Sequence, residues 1–172
     1  MASAPPRRTE QLFAALYRDL RAMAERQLRQ NYGAPLSPTT LLHEAYLGMA
    51  GGDARFEDND RFMGYAARVM RGLIIDCVRE RRALKRGAGF HITQLPTESA
   101  EPLPDERELT QLSDAIDDLS LREPQLAELV DLKYFCGYTF EEVSAIQGKS
   151  LRTVQRDWEK VRVLLYRQLR AE

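Results

Sequence analysis

Apolar residues recur along this 172-residue chain at three- and four-residue steps, and no segment alternates strictly enough to specify a strand. The first stripe, Leu12, Phe13, Leu16, Tyr17, Leu20, Met23 and Ala24, predicts one helix, capped by Thr9 and ended near Asn31-Tyr32-Gly33, with Pro35 as a stop beyond. Ser37-Pro38 predicts a second start, an N-cap followed by proline at the first helical position. Leu41, Leu42, Ala45, Tyr46 and Met49 form the inner face of that helix, which Gly51-Gly52 closes. After a polar loop from Asp53 to Asp60, the longest stripe runs Phe62, Tyr65, Ala66, Val69, Met70, Leu73, Ile74, Cys77 and Val78. The helix it predicts continues as a charged rod through Arg86 to Gly87 and Gly89.

The texture then changes. His91 to Arg107 contains Pro96, Pro102 and Pro104, several acids and little periodicity, which predicts an extended or disordered linker. Beyond it come a stripe of Leu109, Leu112, Ile116 and Leu119, then one opened by Pro124 with Leu126, Leu129, Val130 and Tyr134, then a final helical pair from Thr139. The pattern predicts an all-α chain of two small helical domains, 9–88 and 108–172, joined by a flexible linker at 89–107. Proteolysis is expected to cut first between Phe90 and Arg107. Protection there would mean that the two domains pack together and hide their binding faces.

Composition narrows the class. Hydrophobic residues make up 44%, enough for real cores, and no apolar stretch approaches the roughly 18 residues of a membrane span. The N-terminal segment has no apolar run behind its arginines, so no secretion signal is expected. Cys77 and Cys136 are too few and too far apart for a disulfide framework or zinc site; as reduced core thiols they predict a cytoplasmic protein. The net charge of -1 conceals an uneven distribution. Arg68 to Arg86 holds seven basic residues against Asp76 and Glu80, a net of +5, while Glu98 to Glu128 holds ten acidic residues against Arg107 and Arg122, a net of -8. The last third turns basic again, and two basic segments flanking an acidic one fit a protein that touches nucleic acid at two places.

The strongest local motif is Tyr138 to Leu165. Thr139 with Glu142 makes a capping box, Phe140, Val143 and Ile146 line a short helix, and Gly148 ends it in a tight turn. Ser150 then caps a longer helix with Val154, Trp158, Val161 and Leu165 inside. This is the helix-turn-helix pattern, whose second helix enters the major groove by its N-terminal residues. Its candidate DNA-binding side chains are Lys149, Ser150, Arg152, Thr153, Gln155, Arg156 and Lys160. Arg can read guanine, Gln can read adenine, and Lys and Ser can hold phosphates. The basic end of the long helix is the second candidate. Phe56, Phe62 and Tyr65 lie close enough to offer stacking surfaces, though rings at this spacing are more often core, so the charges carry the reading. Nothing points to an enzyme: there are two histidines, no glycine-rich phosphate loop and no cluster at metal-ligand spacing, and adjacent His43 and Glu44 project in different directions from a helix. No catalytic residue, metal or cofactor is expected.

The order Leu41-Leu42-His43-Glu44-Ala45-Tyr46-Leu47, then Phe62-Met63-Gly64-Tyr65-Ala66-Ala67-Arg68 to Ile75-Asp76-Cys77-Val78-Arg79-Glu80-Arg81-Arg82, then the terminal helix-turn-helix, resembles the extracytoplasmic function (ECF) sigma factors of the sigma-70 family, over residues 9–168. The resemblance implies an RNA polymerase sigma factor whose first domain docks on the clamp helices of the beta-prime subunit through Leu41, His43, Glu44 and Leu47. That domain would open the -10 element with Arg68, Arg71, Asp76, Arg79, Arg81 and Arg82. The second domain would read the -35 element and meet the beta flap, with the acidic linker threading a basic polymerase channel. Two departures stand out. Gly72 occupies a position where such factors commonly carry Asn, and the helix that family members begin with acids begins here with Ser37-Pro38-Thr39-Thr40. The likeness to groups coupled to Ser/Thr kinases implies such a kinase as partner. A phosphate on Thr39 or Thr40 would restore roughly -1.5 to -2 charges at a helix N-terminus. An anti-sigma factor is a further partner the resemblance allows, and no membrane association is expected. The alternative is a stand-alone helix-turn-helix regulator, which would bind its promoter tightly without polymerase.

Overall fold

The computed structural model describes residues 6–30, 36–87 and 106–170, and nearly all of them are helical. The first half begins with a two-residue strand β1 (Arg7–Arg8), paired antiparallel with β2 (Arg55–Phe56), a ladder too short to leave an alternating signature. The stripe read as one helix is two, α1 (Thr9–Ala15) and α2 (Tyr17–Gln30), because Leu16 leaves helical geometry at φ -106° and ψ 17°. Leu16 N still donates to Leu12 O and Leu20 N to Leu16 O, both at 2.9 Å, so the break is a local distortion and not a loop. Arg8, and not Thr9, is the N-cap. Thr9 is buried, and its hydroxyl donates to Ala54 O at 3.4 Å, tying the start of α1 to the loop before the long helix.

Helix α3 (Pro38–Ala50) starts as its sequence predicts: Pro38 needs no N–H partner in the first turn, and Ser37 Oγ accepts from Thr40 N at 3.1 Å. Helix α4 (Asn59–Gly87) runs 29 residues and packs against α2 and α3. Leu12, Leu20, Met23, Leu41, Met49, Phe62, Met70 and Ile74 are fully buried there. Phe62 alone contributes about 3 kcal/mol by leaving water. Phe56 packs on Phe62 and on Tyr65, each at 5.3 Å between ring centres, so the rings weighed as stacking surfaces are core.

The second half comprises α5 (Glu106–Arg122), α6 (Pro124–Val130), α7 (Phe140–Gln147) and α8 (Leu151–Arg170). Helix α5 starts two residues before the expected boundary. The remainder of the expected linker at 89–107, and with it most of the segment expected to be cleaved, lies outside the described residues. At its C-terminal end α6 widens into a π-helical turn, Asp131–Cys136, which Gly137 ends in the left-handed region at φ 76°. Gly148, at φ 64°, plays the same part between α7 and α8.

The halves touch. Helix α4 packs against α5 and the π-turn, α2 also meets the π-turn, and the buried apolar core runs without interruption from one half into the other. Gly64 of α4 leaves room for Leu132, whose Cδ2 lies 3.4 Å from where a Cβ would stand. The polar centre of this junction is Arg71, 4% exposed, facing Asp131, 1% exposed, with Nε and Oδ1 3.5 Å apart. Arg68 reaches the same carboxylate at 3.4 Å, and Arg71 Nη1 donates to Asp117 at 3.2 Å and to Ser113 Oγ at 3.3 Å. Burial pushes the Asp131 carboxyl up to about 6, a rise that Arg71 and Arg68 oppose without cancelling.

Two predictions follow from this geometry. Alanine at Gly148 meets nothing and should cost about 1 kcal/mol for its left-handed backbone alone. Alanine at Gly137 must in addition displace the Arg26 guanidinium, which donates to Cys136 O, so its urea midpoint should fall clearly further. Equal losses at the two sites would show that the Arg26 contact contributes nothing. The second concerns pH. A carboxyl raised in the folded state adds stability that is fully present below its unfolded value near 3.8 and is lost as pH rises through about 6. Measured as wild type minus Asp131→Asn, unfolding free energy should therefore increase from pH 7 to pH 5; a flat difference over that interval would place the carboxyl in the ordinary range.

Candidate nucleic-acid interface

Three surfaces carry the residues singled out in the sequence. The first is built by α7, its turn and α8. Thr139 Oγ1 accepts from Glu142 N at 3.2 Å while Glu142 accepts from Thr139 N at 2.7 Å, so the predicted capping box is formed. Val143, Val154 and Val161 are buried beneath the pair, with Phe140 edge-on to Trp158 at 6.2 Å. Ser150 caps α8, its Oγ accepting from Thr153 N at 3.1 Å and lying 2.8 Å from the Thr153 hydroxyl. Arg152, Gln155 and Arg156 project outward from the first turns of α8, exposed and without a hydrogen bond or ion pair among the described residues. Lys149 and Lys160 are held differently: Lys149 pairs with Asp157 at 3.1 Å and Lys160 with Glu123 at 3.0 Å. Those pairs hold a cation at each end of this α8 face while its centre stays open.

The second surface is α4. Arg68, Arg79 and Arg81 are exposed, Asp76 pairs with Arg79 at 3.8 Å, and the Arg82 side chain lies outside the described residues. Arg71 departs from expectation. It is enclosed by Ser113, Asp117 and Asp131 and lies 5.5 Å from the centre of the Phe135 ring, so no strand can reach it in this arrangement. Arg79 also bonds Asp114 of α5. Gly72 is half-buried, and a Cβ there would meet nothing.

The third surface is the outer face of α3. Leu47 is 56% exposed, and His43, Glu44, Thr39 and Thr40 face solvent with it. Leu41, expected among these docking residues, is instead fully buried in the core: its position on the helix faces inward, with Leu42 and Ala45. The first turn of α3 contains no acid, and Ser37 Oγ lies 2.9 Å from the Thr40 hydroxyl.

Sequence reasoning missed Asp131, Ser113, Asp114 and Asp117 as partners of α4. Their one signal was an acid, Asp131, set between the apolar residues Val130 and Leu132. The cysteines are free, and burial pushes the Cys136 thiol up to about 12, which leaves it inert. Among the described residues no group of three or more His, Cys, Asp or Glu could hold a metal ion, and no helix is long and apolar enough to cross a membrane.

A capped helix, a glycine turn and a second helix with open arginines, preceded by a long basic helix in an all-α frame, are the features that the resemblance to sigma factors rested on. No curated protein and no solved structure matches the chain at a significant level. The family model for ECF sigma factors matches residues 3–171, nearly the whole length. The chain therefore belongs to the ECF sigma factors, transcription initiation factors whose partners are core RNA polymerase and promoter DNA.

Proposed function

We propose that the three surfaces divide the work of initiation among them. The exposed face of α3, with His43, Glu44 and Leu47, docks on the clamp helices of beta-prime. The basic side of α4, with Arg68, Arg71, Arg79, Arg81 and Arg82, holds the -10 strand, and the start of α8 reads the -35 element. The apolar groove between α5 and α8, lined by Leu112, Ile116, Val130, Trp158 and Leu165, offers the beta flap a surface. The observation that carries this reading is the open centre of the α8 face: Arg152, Gln155 and Arg156 are exposed and unengaged among the described residues, while the cations flanking them are paired. Exposed guanidinium groups with no partner on the chain can make the bidentate contacts that specify guanine.

Docking by α3 is further proposed to depend on phosphorylation. The helix begins without carboxylates where a basic polymerase surface needs a negative partner. A phosphate there would supply roughly -1.5 to -2 charges at the positive end of the helix dipole. Thr39 suits a kinase better than Thr40, since Thr40 lies within hydrogen-bonding distance of the Ser37 cap while Thr39 is exposed with no hydrogen bond among the described residues.

Run-off transcription with core polymerase tests both parts. Arg152→Ala or Arg156→Ala should each remove about 1–3 kcal/mol of discrimination between the promoter and its -35 mutants. Lys160→Ala should weaken all sequences alike and flatten the salt dependence. Full activity with all three replaced would take this helix out of recognition. For α3, kinase-treated protein should bind core polymerase tens to thousands of times more tightly than the unmodified chain or Thr39→Ala/Thr40→Ala, as expected for completing an interfacial ion pair. Equal binding by all three would remove the switch.

A further inference from the structure

The turn between α7 and α8 is tied down at one residue, Lys149. Its N–H donates to Ser144 O at 3.2 Å and its carbonyl accepts from Ser144 Oγ at 2.6 Å, so α7 holds the Lys149 backbone at both polar groups. Its ammonium donates to Asp157 of α8 at 3.1 Å. Asp157 stands three residues after Val154 and four before Val161, both buried, and so shares the inner side of α8, away from Gln155 and Arg152. Burial separates this pair from the other one that flanks the open centre. The Lys149 and Asp157 side chains are 20% and 16% exposed, against 51% and 49% for Lys160 and Glu123. A pair half in water is weak, and a phosphate can take over its cation. A pair withdrawn from water leaves an uncompensated charge behind when one partner departs.

We infer that Lys149 and Asp157 are positioning residues for -35 recognition: their pair fixes the angle at which α8 leaves the turn, and neither side chain contacts DNA. This rests on the reading of α8 as the -35 helix, and it takes Lys149 out of the phosphate-holding role that its place in the motif suggests. The need is for direction. Gly148 lets the chain reverse at φ 64°, and the apolar contacts of Val143, Val154 and Val161 attract without specifying orientation. A hydrogen-bonded ion pair constrains distance and orientation together. Lys149 is joined to α7 through Ser144 and to α8 through Asp157, so its side chain is a strut across the angle between the two helices. Arg152 and Arg156 project from the helix that the strut braces. A bidentate contact with guanine needs both guanidinium donors in place at once, so a small rotation of α8 decides whether they reach.

Core polymerase reconstituted with the full-length chain tests this on two probes. One is the promoter duplex that the wild-type holoenzyme selects from a pool randomised at the -35 element; the other is that duplex with single-base changes in the element. Lys149→Met and Asp157→Asn should each lower the affinity ratio between the probes about tenfold, the scale of one misplaced base contact. The double substitution should lose no more than the larger single loss, because both changes remove one interaction. Lys149→Met should keep the wild-type dependence of binding on salt. Lys149→Asp/Asp157→Lys, which rebuilds the pair in reverse, should recover most of the ratio. Equal weakening on both probes, as from a chain that merely folds less well, would overturn the inference. So would a salt slope reduced by about one in Lys149→Met, the mark of a lost phosphate contact. A ratio held in Asp157→Asn while affinity for both probes rises would also sink it, by showing an acid that only repels DNA. Failure of the α8 reading itself looks different: Arg152→Ala/Arg156→Ala would then keep the wild-type ratio.

Discussion

Arg71 and Asp131 meet in a place where neither would survive alone. An isolated charge transferred from water to a protein interior costs several kcal/mol even after relaxation, and an arginine cannot avoid that cost by losing its proton. Arg71, 4% exposed, therefore requires a carboxylate at its tip, and among the described residues α5 and the π-turn supply the acids there, Asp117 and Asp131. The carboxylate needs the arginine equally, since burial already raises its proton affinity. The position of the second half on α4 follows from this mutual need as much as from apolar contact. The widened turn fits the same logic. π-helical turns cluster at functional sites, and this one carries both Asp131, which faces α4, and Cys136, whose Sγ lies 3.7 Å from Met63 O of α4.

Local signals were legible because they depend on a few neighbouring residues. Ser37-Pro38, Thr139 with Glu142, and Gly148 each specify a cap or a turn through backbone hydrogen bonds that any surrounding fold would preserve. The long helix was legible for a different reason, its uninterrupted stripe from Phe62 to Val78. The second buried face of α4 was not. Gly64, Ala67, Arg71 and Ile75 also recur at three- and four-residue steps, and all are buried. The arginine in their midst makes that face look solvated, and nothing in the sequence marks it as the side that meets the second half. Leu41 shows the converse error: it stands in a motif read for docking, yet the helical phase that buries Leu42 and Ala45 buries it as well.

Charge along the chain carries two messages that the sequence does not separate. Basic segments around an acidic one suggest two contacts with nucleic acid, and an electrostatic partner for DNA is also a partner for any acidic segment on the same chain. In this fold Asp114 and Asp117, from the acidic stretch, lie against α4 from the basic one. The near-neutral total of -1 thus conceals segments of opposite charge that the fold brings into contact.

That pairing bears on selectivity. Affinity for DNA at large comes mostly from cations that displace counterions from phosphates, with no regard to sequence. A chain that displayed the arginines of α4 continuously would bind duplex and single strands everywhere. With Arg68, Arg71 and Arg79 engaged internally, the cations left exposed and unpaired at the start of α8, among the described residues, are Arg152 and Arg156. Salt would not simply abolish the internal contacts. Exposed pairs such as Arg79 with Asp114 are screened within about 8–10 Å, whereas the Arg71–Asp131 pair is shielded from mobile ions by its burial. Ionic strength therefore acts unevenly across this one junction, loosening its exposed pairs while the buried pair and the apolar contacts around it persist.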